Sequence, residues 1–566
     1  MNVLGLSDGH DCGVAVVKDG KIVAAVNEER LNRIKLVRGL PLQSIDCVLK
    51  QAKLEPKDID LIAVANWHAP WFPKPISLKQ VQTMNVIMGP RQFLGSAAFL
   101  LGDLFNKDYF IGIQKFGENL YGQWYWKRNK KLKAWLKGHG FDCDVEFVEH
   151  HQCHAACAYF TGGLNKALVV TYDAAGDALC STISVAENGH MERLSELGSY
   201  NSVGKYYSYV TELCGFTSNK HEGKITGLAA FGKPEYLPNF ENWINYNNGR
   251  TVNYLKAKHD AALNKIKKEL GNFNKANLAA SVQIHLENVL SKYVSYWVDK
   301  TGISNVVLAG GVFANVKLNQ RLLALPNVES IFVHPHMGDG GTALGAALNQ
   351  ANIKPFALND VYFGPEFNNE EIQQAITDNG LNAKDYNDIP TEVAARIDEG
   401  KIVGLFQGRM EYGPRALGNR SIVAKPTDKG INDSLNKRLS RTEFMPFAPS
   451  ILEEEAKNYF TGYENAKYPS KFMTITFDVP KEKQKMAGAV VHVDGTARPQ
   501  VVCKESNKLY YQTLKAYQDA SGLPLFVNTS FNAHEEPIVC SPVDAINAFK
   551  DKRVDCLVIG NFILGK

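Results

Sequence analysis

The chain has 566 residues, of which 45% are hydrophobic and 22% are charged, and its formal net charge is +4. This length exceeds what one hydrophobic core usually serves, so two or more domains are expected. The small net charge argues against a nucleic-acid partner, and every apolar run is too interrupted to span a membrane. Ten cysteines without a CxxC pair predict reduced thiols, and no signal peptide precedes the first predicted strand, so a cytoplasmic protein is expected.

Two segments of the first half share one pattern of strand, acidic turn with glycine, strand and hairpin turn. The first begins with a predicted strand at 3–6 and carries Asp8 and His10 in its turn. The second begins at 167, carries Asp173 and Asp177 in its turn, and ends in Asn188-Gly189. The repeat predicts an internally duplicated fold whose acidic turns approach a nucleotide phosphate and its metal from opposite sides.

A histidine-rich sequence, His-His-Gln-Cys-His at 150–154, lies between these two segments. It follows a predicted strand at 144–148 and opens a predicted helix that ends at Gly162-Gly163. His150 and His154 are four residues apart and therefore share one helical face, which suits two imidazoles on one metal ion. Taken alone, this spacing is weak evidence for a metal site, since the histidines of a helical pair more often form hydrogen bonds within a protein core.

Two strand–glycine–helix units follow the second hairpin. A predicted strand at 306–309 leads into Gly310 and Gly311 and a helix near Asn315, and another at 332–333 leads into a glycine loop carrying Asp339. Glycines at such junctions admit a phosphate or a base close to the backbone. Two acidic hairpins followed by two such units are the order expected of the actin, sugar-kinase and heat-shock ATPase superfamily.

The second half begins after a Pro-, Asn- and Gly-containing stretch near 354–365. A predicted strand at 402–406 precedes a loop whose arginines, Arg409, Arg415 and Arg420, are separated by glycine and proline. Surface salt bridges are the alternative, but neighbouring glycine amides favour anion binding. With polar residues further on, the loop predicts a cationic cavity for a triphosphate and a second anion; these residues are Lys437, Arg441, Arg498, Asn528 and Ser530.

An aromatic and basic region at about 66–137 fits neither pattern. Basic residues interleaved with aromatic ones are compatible with lipid or RNA contact, but a solvated helix docked on the domain is favoured. The region is interpreted as an insertion, with an acceptor pocket and a dimer contact as alternatives.

The motifs taken together closely resemble the bacterial O-carbamoyltransferases, a family that includes nodulation-factor, cephem and aminoglycoside carbamoyltransferases. The match covers nearly the whole chain and rests on the segments GLSDGHD (5–11), HHQCH (150–154), YDAAGD (172–177), EGKITGLAAFG (222–232), AGGVFAN (309–315), GDGGTALGAA (338–347), GRMEYGPRALGNRS (408–421), MPFAPSIL (445–452), DGTARPQ (494–500) and NTSFN (528–532).

The resemblance implies an α/β fold with two domains. Residues 1–355 would form an actin-like, duplicated carbamoyl-transfer domain similar to the tRNA threonylcarbamoyl-transfer ATPases, and residues 356–566 a YrdC-like domain. Carbamoyl phosphate and ATP would give carbamoyl adenylate and pyrophosphate in the second domain. The carbamoyl group would then pass inside the protein to a hydroxyl of a small-molecule or glycan acceptor, with release of AMP. Fe(II) or a similar divalent metal, and Mg²⁺ with ATP, are the implied cofactors.

Residue roles carry over from the resemblance in four sets. His150, His154 and Asp339 match the metal ligands, and Asp8 and His10 match the residues that handle the acceptor hydroxyl, with His151 beside the ligands as a supporting or structural residue. The nucleotide contacts of the first domain would be Lys35, Asp173, Asp177, Lys224, Gly310, Gly311 and Asn315. The anions of the adenylation step would be bound by Arg415, Arg420, Lys437, Arg441, Arg498, Asn528 and Ser530.

Two other functions compete with this interpretation. One is threonylcarbamoyl or hydrogenase-maturation carbamoyl transfer to a macromolecule, although the chain has neither the CxxC motifs nor an extra domain typical of the latter. The other is a non-catalytic nucleotide-binding regulator. A regulator has no need of a second anion cavity, so the arginine loop argues against it.

Overall fold

The computed structural model describes residues 1–67, 71–77, 80, 128–428, 430–441 and 446–565. Most of the aromatic and basic region predicted at 66–137 therefore lies outside the described residues. Its last part, residues 128–138, is a helix whose Leu132 and Leu136 are buried while Lys131, Lys133 and Lys137 are exposed. That arrangement is the docked, solvated helix favoured from the sequence. Within the described ranges, no helix has the length and hydrophobicity needed to cross a bilayer.

The first half contains two five-stranded sheets of the same topology. The strand orders are β3-β2-β1-β4-β5 and β8-β7-β6-β11-β12, so each sheet has an antiparallel three-strand meander followed by two strands parallel to its first strand. The strands are β1 (Asn2–Ser7), β2 (Gly13–Lys18), β3 (Lys21–Asn27), β4 (Leu61–Ala65), β5 (Asp144–Val148), β6 (Lys166–Gly176), β7 (Leu179–Glu187), β8 (His190–Gly198), the separate hairpin β9 (Ile244–Asn247) and β10 (Arg250–Asn253), β11 (Asn305–Ala309) and β12 (Ser330–Val333). The predicted internal duplication is confirmed.

The helices of the first half connect the strands singly or in groups of two or three. They are α1 (Glu28–Asn32), α2 (Leu42–Ala52), α3 (128–138), α4 (His150–Thr161), α5 (Val203–Leu213), α6 (Glu222–Ala229), α7 (Leu237–Trp243), α8 (His259–Leu270), α9 (Lys275–Thr301), α10 (Val316–Leu323) and α11 (Thr342–Gln350).

Helices α4 and α11 pack against each other between the two sheets, α11 on β1 and α4 on β6. Small residues make this close approach feasible. A Cβ on Gly345 of α11 would lie 2.0 Å from the Cys153 carbonyl oxygen of α4, and one on Gly5 of β1 would lie 1.9 Å from the Ala343 carbonyl oxygen. Because both helices begin at the same end of the sheets, their first residues face one another.

The second half is built on one eight-stranded mixed sheet of order β13-β22-β21-β14-β15-β20-β16-β19. Its strands, and the small pair β17–β18, are β13 (Lys384–Asp385), β14 (Val403–Phe406), β15 (Arg420–Ala424), β16 (Ala448–Leu452), β17 (Phe477–Asp478), β18 (Thr496–Ala497), β19 (Gln500–Val502), β20 (Leu525–Ser530), β21 (Cys556–Ile559) and β22 (Phe562–Leu564). Its helices are α12 (Asn369–Asp378), α13 (Ile389–Asp398), α14 (Gly430–Arg438), α15 (Glu453–Tyr459), α16 (Lys467–Ser470), α17 (Lys481–Gln484), α18 (Lys508–Ser521) and α19 (Pro542–Lys550). The chain is thus the mixed α/β protein predicted from the sequence.

The two halves contact each other directly through arginine side chains. Arg33 donates to the Ile538 and Pro537 carbonyl oxygens at 2.6 and 2.7 Å, and Arg409 donates to the Val23 carbonyl oxygen at 2.8 Å. Charged donors on carbonyl groups are the stronger class of hydrogen bond, so the halves are held in a defined orientation.

Candidate functional site: an acidic histidine cluster and a cationic cavity

Two histidines and two aspartates meet where α4 and α11 begin. His154 Nε2 lies 3.3 Å from an Asp173 carboxylate oxygen and 3.7 Å from one of Asp339, and His150 Nε2 lies 3.7 Å from each. The four candidate ligand atoms all lie within 4.8 Å of one another. The sequence grouped His150, His154 and Asp339, whereas it placed Asp173 among nucleotide contacts. The fold adds Asp173 because β6 ends beside α4.

The donor set suits a divalent transition metal. Two imidazoles and two carboxylates are the ligand types that such ions accept, with room for further oxygen ligands. Burial lowers the pKa of both histidines, but the nearby Asp173 and Asp339 raise it by more. The result is a pKa of about 9 for His150 and a raised pKa for His154. The two carboxylates therefore favour positive charge within this buried cluster, and a bound metal cation would supply that charge.

Backbone hydrogen bonds fix the first turn of α4. Glu149 accepts from the backbone N–H groups of His151 and Gln152 at 2.8 and 2.9 Å, which is a helix N-cap. Asp177 accepts from the His150 backbone N–H at 2.9 Å, so this predicted nucleotide contact holds the start of the helix. The His151 ring turns away from the cluster, and its Nδ1 lies 2.8 Å from Thr171 Oγ1.

Gly176 leaves just enough room for a ligand ring. A Cβ at this position would lie 2.0 Å from His150 Cδ2 and 2.4 Å from its Nε2. We expect Gly176→Ala to displace the His150 ring, weaken Co(II) binding and lower the free energy of unfolding by about 1–3 kcal/mol. Co(II) titration and urea unfolding measure both effects.

The control for this substitution is Gly138→Ala, since nothing lies within 4 Å of a Cβ on Gly138. That variant should bind Co(II) as the unsubstituted protein does and should lose no stability, since alanine is favoured over glycine in a helix. Wild-type Co(II) affinity in Gly176→Ala would contradict the assignment of His150 as a ligand.

Asp8 and His10 lie in the turn after β1, and Asp8 is engaged by a buried arginine. Arg128, which is 1% exposed, donates from Nε to Asp8 Oδ2 at 3.0 Å and from a terminal nitrogen to Asp8 Oδ1. A carboxylate held bidentately by a guanidinium is suited to orient a neighbouring group rather than to accept a proton. Arg128 was not among the predicted site residues, because it lies in a lysine-rich segment that is typical of a surface element.

The imidazole of His10 is positioned to accept a proton. Burial lowers its pKa, Asp339 opposes this, and the positive charge of Arg38 lowers it further. Its Nε2 is buried and has no hydrogen-bond partner among the described residues. A neutral imidazole with an open nitrogen is the form that a general base requires.

The remaining predicted nucleotide contacts divide between two places. The Gly311 backbone N–H donates to Asp173 Oδ2 at 3.2 Å, and a Cβ on Gly310 (φ 108°) would lie 2.2 Å from the Tyr172 carbonyl oxygen. Asn315 caps α10 by accepting from the Leu318 N–H at 3.1 Å, and buried Lys224 places its Nζ 5.5 Å from the centre of the Phe216 ring. Lys224 and Asn315 are chain neighbours of Gly223, Ala314 and Val316, which line a second cavity.

That second cavity, of about 250 Å³, lies between the two halves of the chain. Three arginines of the second half line it together with Lys35 of the first half, which the sequence placed at the nucleotide of the first domain. A cavity lined by several cationic side chains and small polar residues is the environment that phosphate groups prefer. The predicted residues that line it are Arg415, Arg441, Arg498, Asn528 and Ser530.

Two residues predicted for this cavity are not among the residues that line it. Arg420 is completely buried, donates to the Gln407 and Asn419 carbonyl oxygens at 2.7 and 2.9 Å, and places its guanidinium 3.7 Å from the centre of the Phe406 ring. It therefore stabilises the loop instead of facing an anion. Lys437 is exposed on α14, outside the lining residues.

Glu535 joins the two halves at the cavity wall. His221 Nε2 lies 2.9 Å from Glu535 Oε1, and Lys220 forms an ion pair with the other carboxylate oxygen. Partial burial raises the pKa of the Glu535 carboxyl, but hydrogen bonds from Lys220 and His221 outweigh this effect and lower the pKa to about 2.

A carboxylate with a lowered folded-state pKa stabilises the fold above its unfolded pKa, and this contribution disappears as the pH falls through the folded value. We expect Glu535→Gln to lower the melting temperature at pH 7 by a small amount that shrinks between pH 4.5 and 2. Calorimetry across this range tests it, with Glu464→Gln in the exposed Glu464–Lys467 pair as control. A difference that persists at pH 2 would contradict the ion-pair explanation.

Residues 2–348 match the model described as carbamoyltransferase N-terminus, and residues 394–566 match carbamoyltransferase C-terminus. The chain therefore belongs to the carbamoyltransferase family, as the resemblance indicated, and is a transferase of carbamoyl groups.

Individual relatives extend over the whole chain. Nodulation protein NolNO of Sinorhizobium fredii is 32% identical, with 98% of this chain and 79% of that protein covered. An uncharacterized protein of Methanocaldococcus jannaschii, MJ1051, is 32% identical over 100% of this chain and 99% of its own length. Among solved structures, full-length HypF in a phosphate- and nucleotide-bound form is 15% identical over 62% of this chain and 46% of its own, with a TM-score of 0.33.

Proposed function

We propose that this protein is an ATP-dependent O-carbamoyltransferase that activates a carbamoyl group in the cationic cavity and transfers it to a hydroxyl at the acidic histidine cluster. The observation that carries the proposal is the cavity itself, where Arg415, Arg441, Arg498 and Lys35 converge from both halves. Four cations around one cavity would offset the repulsion between two phosphate-bearing substrates.

The activation step uses carbamoyl phosphate, ATP with Mg²⁺, and water. Water hydrolyses carbamoyl phosphate to carbamate and inorganic phosphate, and a carbamate oxygen then attacks the α-phosphorus of ATP. The bond from that phosphorus to the β-phosphate oxygen breaks, which gives carbamoyl adenylate and pyrophosphate. The guanidinium groups would hold the phosphates in line and stabilise the negative charge that develops on the departing pyrophosphate.

The transfer step takes place beside His10. The acceptor oxygen attacks the carbonyl carbon of carbamoyl adenylate, the carbon–oxygen bond to AMP breaks, and His10 takes the hydroxyl proton. Asp8, fixed by Arg128, would orient the acceptor hydroxyl toward the imidazole. The enclosed position between the halves would protect the intermediate from water.

His150, His154, Asp173 and Asp339 would hold a divalent transition metal such as Fe(II) at this place. The metal would supply Lewis acidity toward oxygen atoms of the nucleotide or acceptor. The predicted nucleotide contacts Gly311, whose backbone N–H donates to Asp173, and Asn315, which adjoins two residues lining the cavity, would lie along a bound nucleotide. The division at residue 355, a cytoplasmic location and a homodimer stay predictions from the sequence.

The proposal is tested by product analysis without an acceptor. Incubation with ATP and carbamoyl phosphate should release pyrophosphate and inorganic phosphate, and pyrophosphate release should require carbamoyl phosphate. Formation of ADP would indicate kinase-like chemistry, and absence of any turnover would favour a regulator. Mass spectrometry of candidate hydroxyl acceptors, from small molecules to glycans, would then identify the substrate and separate it from macromolecular acceptors.

A further inference from the structure

We propose that Asn66 is a positioning residue of the metal centre that sets which nitrogen of His150 faces the metal. This inference rests on the metal site of the proposed function. Asn66 Oδ1 lies 2.7 Å from His150 Nδ1, and both side chains are buried. An amide oxygen has no hydrogen to donate, so the hydrogen of this bond belongs to Nδ1.

The hydrogen bond has a direct consequence for the opposite nitrogen. In the neutral ring only one nitrogen carries hydrogen, so Nδ1–H leaves the Nε2 lone pair available. Nε2 lies 3.1 Å from His154 Nε2 and 3.7 Å from both Asp173 and Asp339 oxygens. Asn66 therefore directs the lone pair into the cluster, and it also limits rotation of the ring.

The fold holds Asn66 in place from several directions. Its backbone has φ 71°, a left-handed conformation that asparagine tolerates better than most residues. Asp177 Oδ2 accepts from the backbone N–H groups of both Trp67 and His150 at 2.9 Å, which fixes the two segments against each other. Arg128 donates to the Asn66 carbonyl oxygen at 3.3 Å.

These contacts join the metal centre to the acceptor side of the site. Arg128 also binds Asp8, so one guanidinium connects the carboxylate beside His10 to the residue that orients His150. Gly9, between Asp8 and His10, packs against the Asn66 side chain, since a Cβ on Gly9 would lie 3.0 Å from Asn66 Nδ2. The position of His150 and the position of the Asp8–His10 turn thus depend on one asparagine.

Substitutions that keep the left-handed backbone separate the side-chain effect from strain. Asn66→Gly removes the acceptor oxygen, while Asn66→Asp keeps an acceptor. We expect Co(II), added as the probe metal, to bind about 10–100-fold more weakly to Asn66→Gly, with altered d–d absorption, and within about threefold of wild type to Asn66→Asp. The matched control is Asn188→Gly, at an exposed hairpin turn with φ 54°, which should leave Co(II) binding unchanged.

Two further measurements make the outcomes distinct. Pyrophosphate release in the cationic cavity should be unchanged in all three variants, and His154→Gln should abolish Co(II) binding. Wild-type Co(II) affinity in Asn66→Gly, or equally weak binding in Asn66→Asp, would overturn the role of Asn66. Wild-type Co(II) binding in His154→Gln would overturn the metal site itself. Circular dichroism establishes that both Asn66 variants fold, and glycine is used instead of alanine because alanine at φ 71° would add backbone strain.

Discussion

Replacing His10 by asparagine is expected to lower the rate of carbamoyl transfer to the acceptor by about 10²–10⁴-fold while leaving pyrophosphate release unchanged. The buried Nε2 of the imidazole has no hydrogen-bond partner among the described residues, and the lowered pKa of His10 keeps the ring neutral, so its lone pair can take the hydroxyl proton. Asparagine has a similar size but no basic nitrogen. The two rates are measured separately, by mass spectrometry of the carbamoylated acceptor and by a coupled pyrophosphate assay.

His190→Asn is the matched control, because His190 is exposed at the start of β8. It should affect neither rate. Loss of both activities in His10→Asn would place His10 in the activation step or show that the turn has been disrupted, and unchanged transfer would show that another group is the base.

Arg415→Met is expected to reduce carbamoyl-phosphate-dependent pyrophosphate release by about 10³-fold. Methionine keeps much of the length of the side chain but cannot donate hydrogen bonds to a phosphate. The loss should therefore come from the charge and the donors that Arg415 contributes to the cavity. Initial rates at saturating ATP and carbamoyl phosphate, together with the metal content of the purified variant, test this expectation.

Lys437→Met supplies the comparison for Arg415→Met. It also removes one positive charge, but from an exposed position outside the cavity, so its rate should match wild type. Equal losses in the two variants would indicate a general electrostatic effect. A normal rate in Arg415→Met would mean that activation takes place elsewhere.

The two site variants should affect different reactions because Arg415 lines the cationic cavity and His10 does not. His10 belongs to the turn after β1, near Asp339, whereas Arg415 lies on the loop between β14 and β15. Metal content should be retained in Arg415→Met, since none of the four candidate ligands lines the cationic cavity. Independent loss of the two reactions in these variants is the result expected if activation and transfer take place at separate sites.

Local sequence patterns determined the elements of this fold with good accuracy. The repeated hairpins predicted the duplicated sheets, and the histidine sequence predicted a helix beginning at His150 and ending before Gly162. Such patterns succeed because hairpin turns, helix caps and side-chain periodicity depend on residues close together in the chain. The i, i+4 spacing alone placed His150 and His154 on one face.

Distant residues joined the site in ways that spacing could not predict. Asp173 enters the histidine cluster from the end of β6, and Lys35 enters the cationic cavity from the loop after α1. Asp173 and Lys35 were both predicted as nucleotide contacts, because a motif shows which residue type is present but not which residues surround it in the folded chain. Their places follow from the packing of α4 between the sheets and from the contact between the halves.

The family, the duplicated architecture, and the histidines and arginines of the two candidate sites could be predicted from the sequence. The burial of Arg420, the ion pair of Arg128 with Asp8, and the hydrogen bond between His150 and Asn66 became evident in the folded chain. The reason is physical. Burial and hydrogen bonding depend on which groups meet across the folded chain, and Arg128 and Asp8, 120 residues apart, meet only when Leu132 and Leu136 of α3 pack against the first sheet.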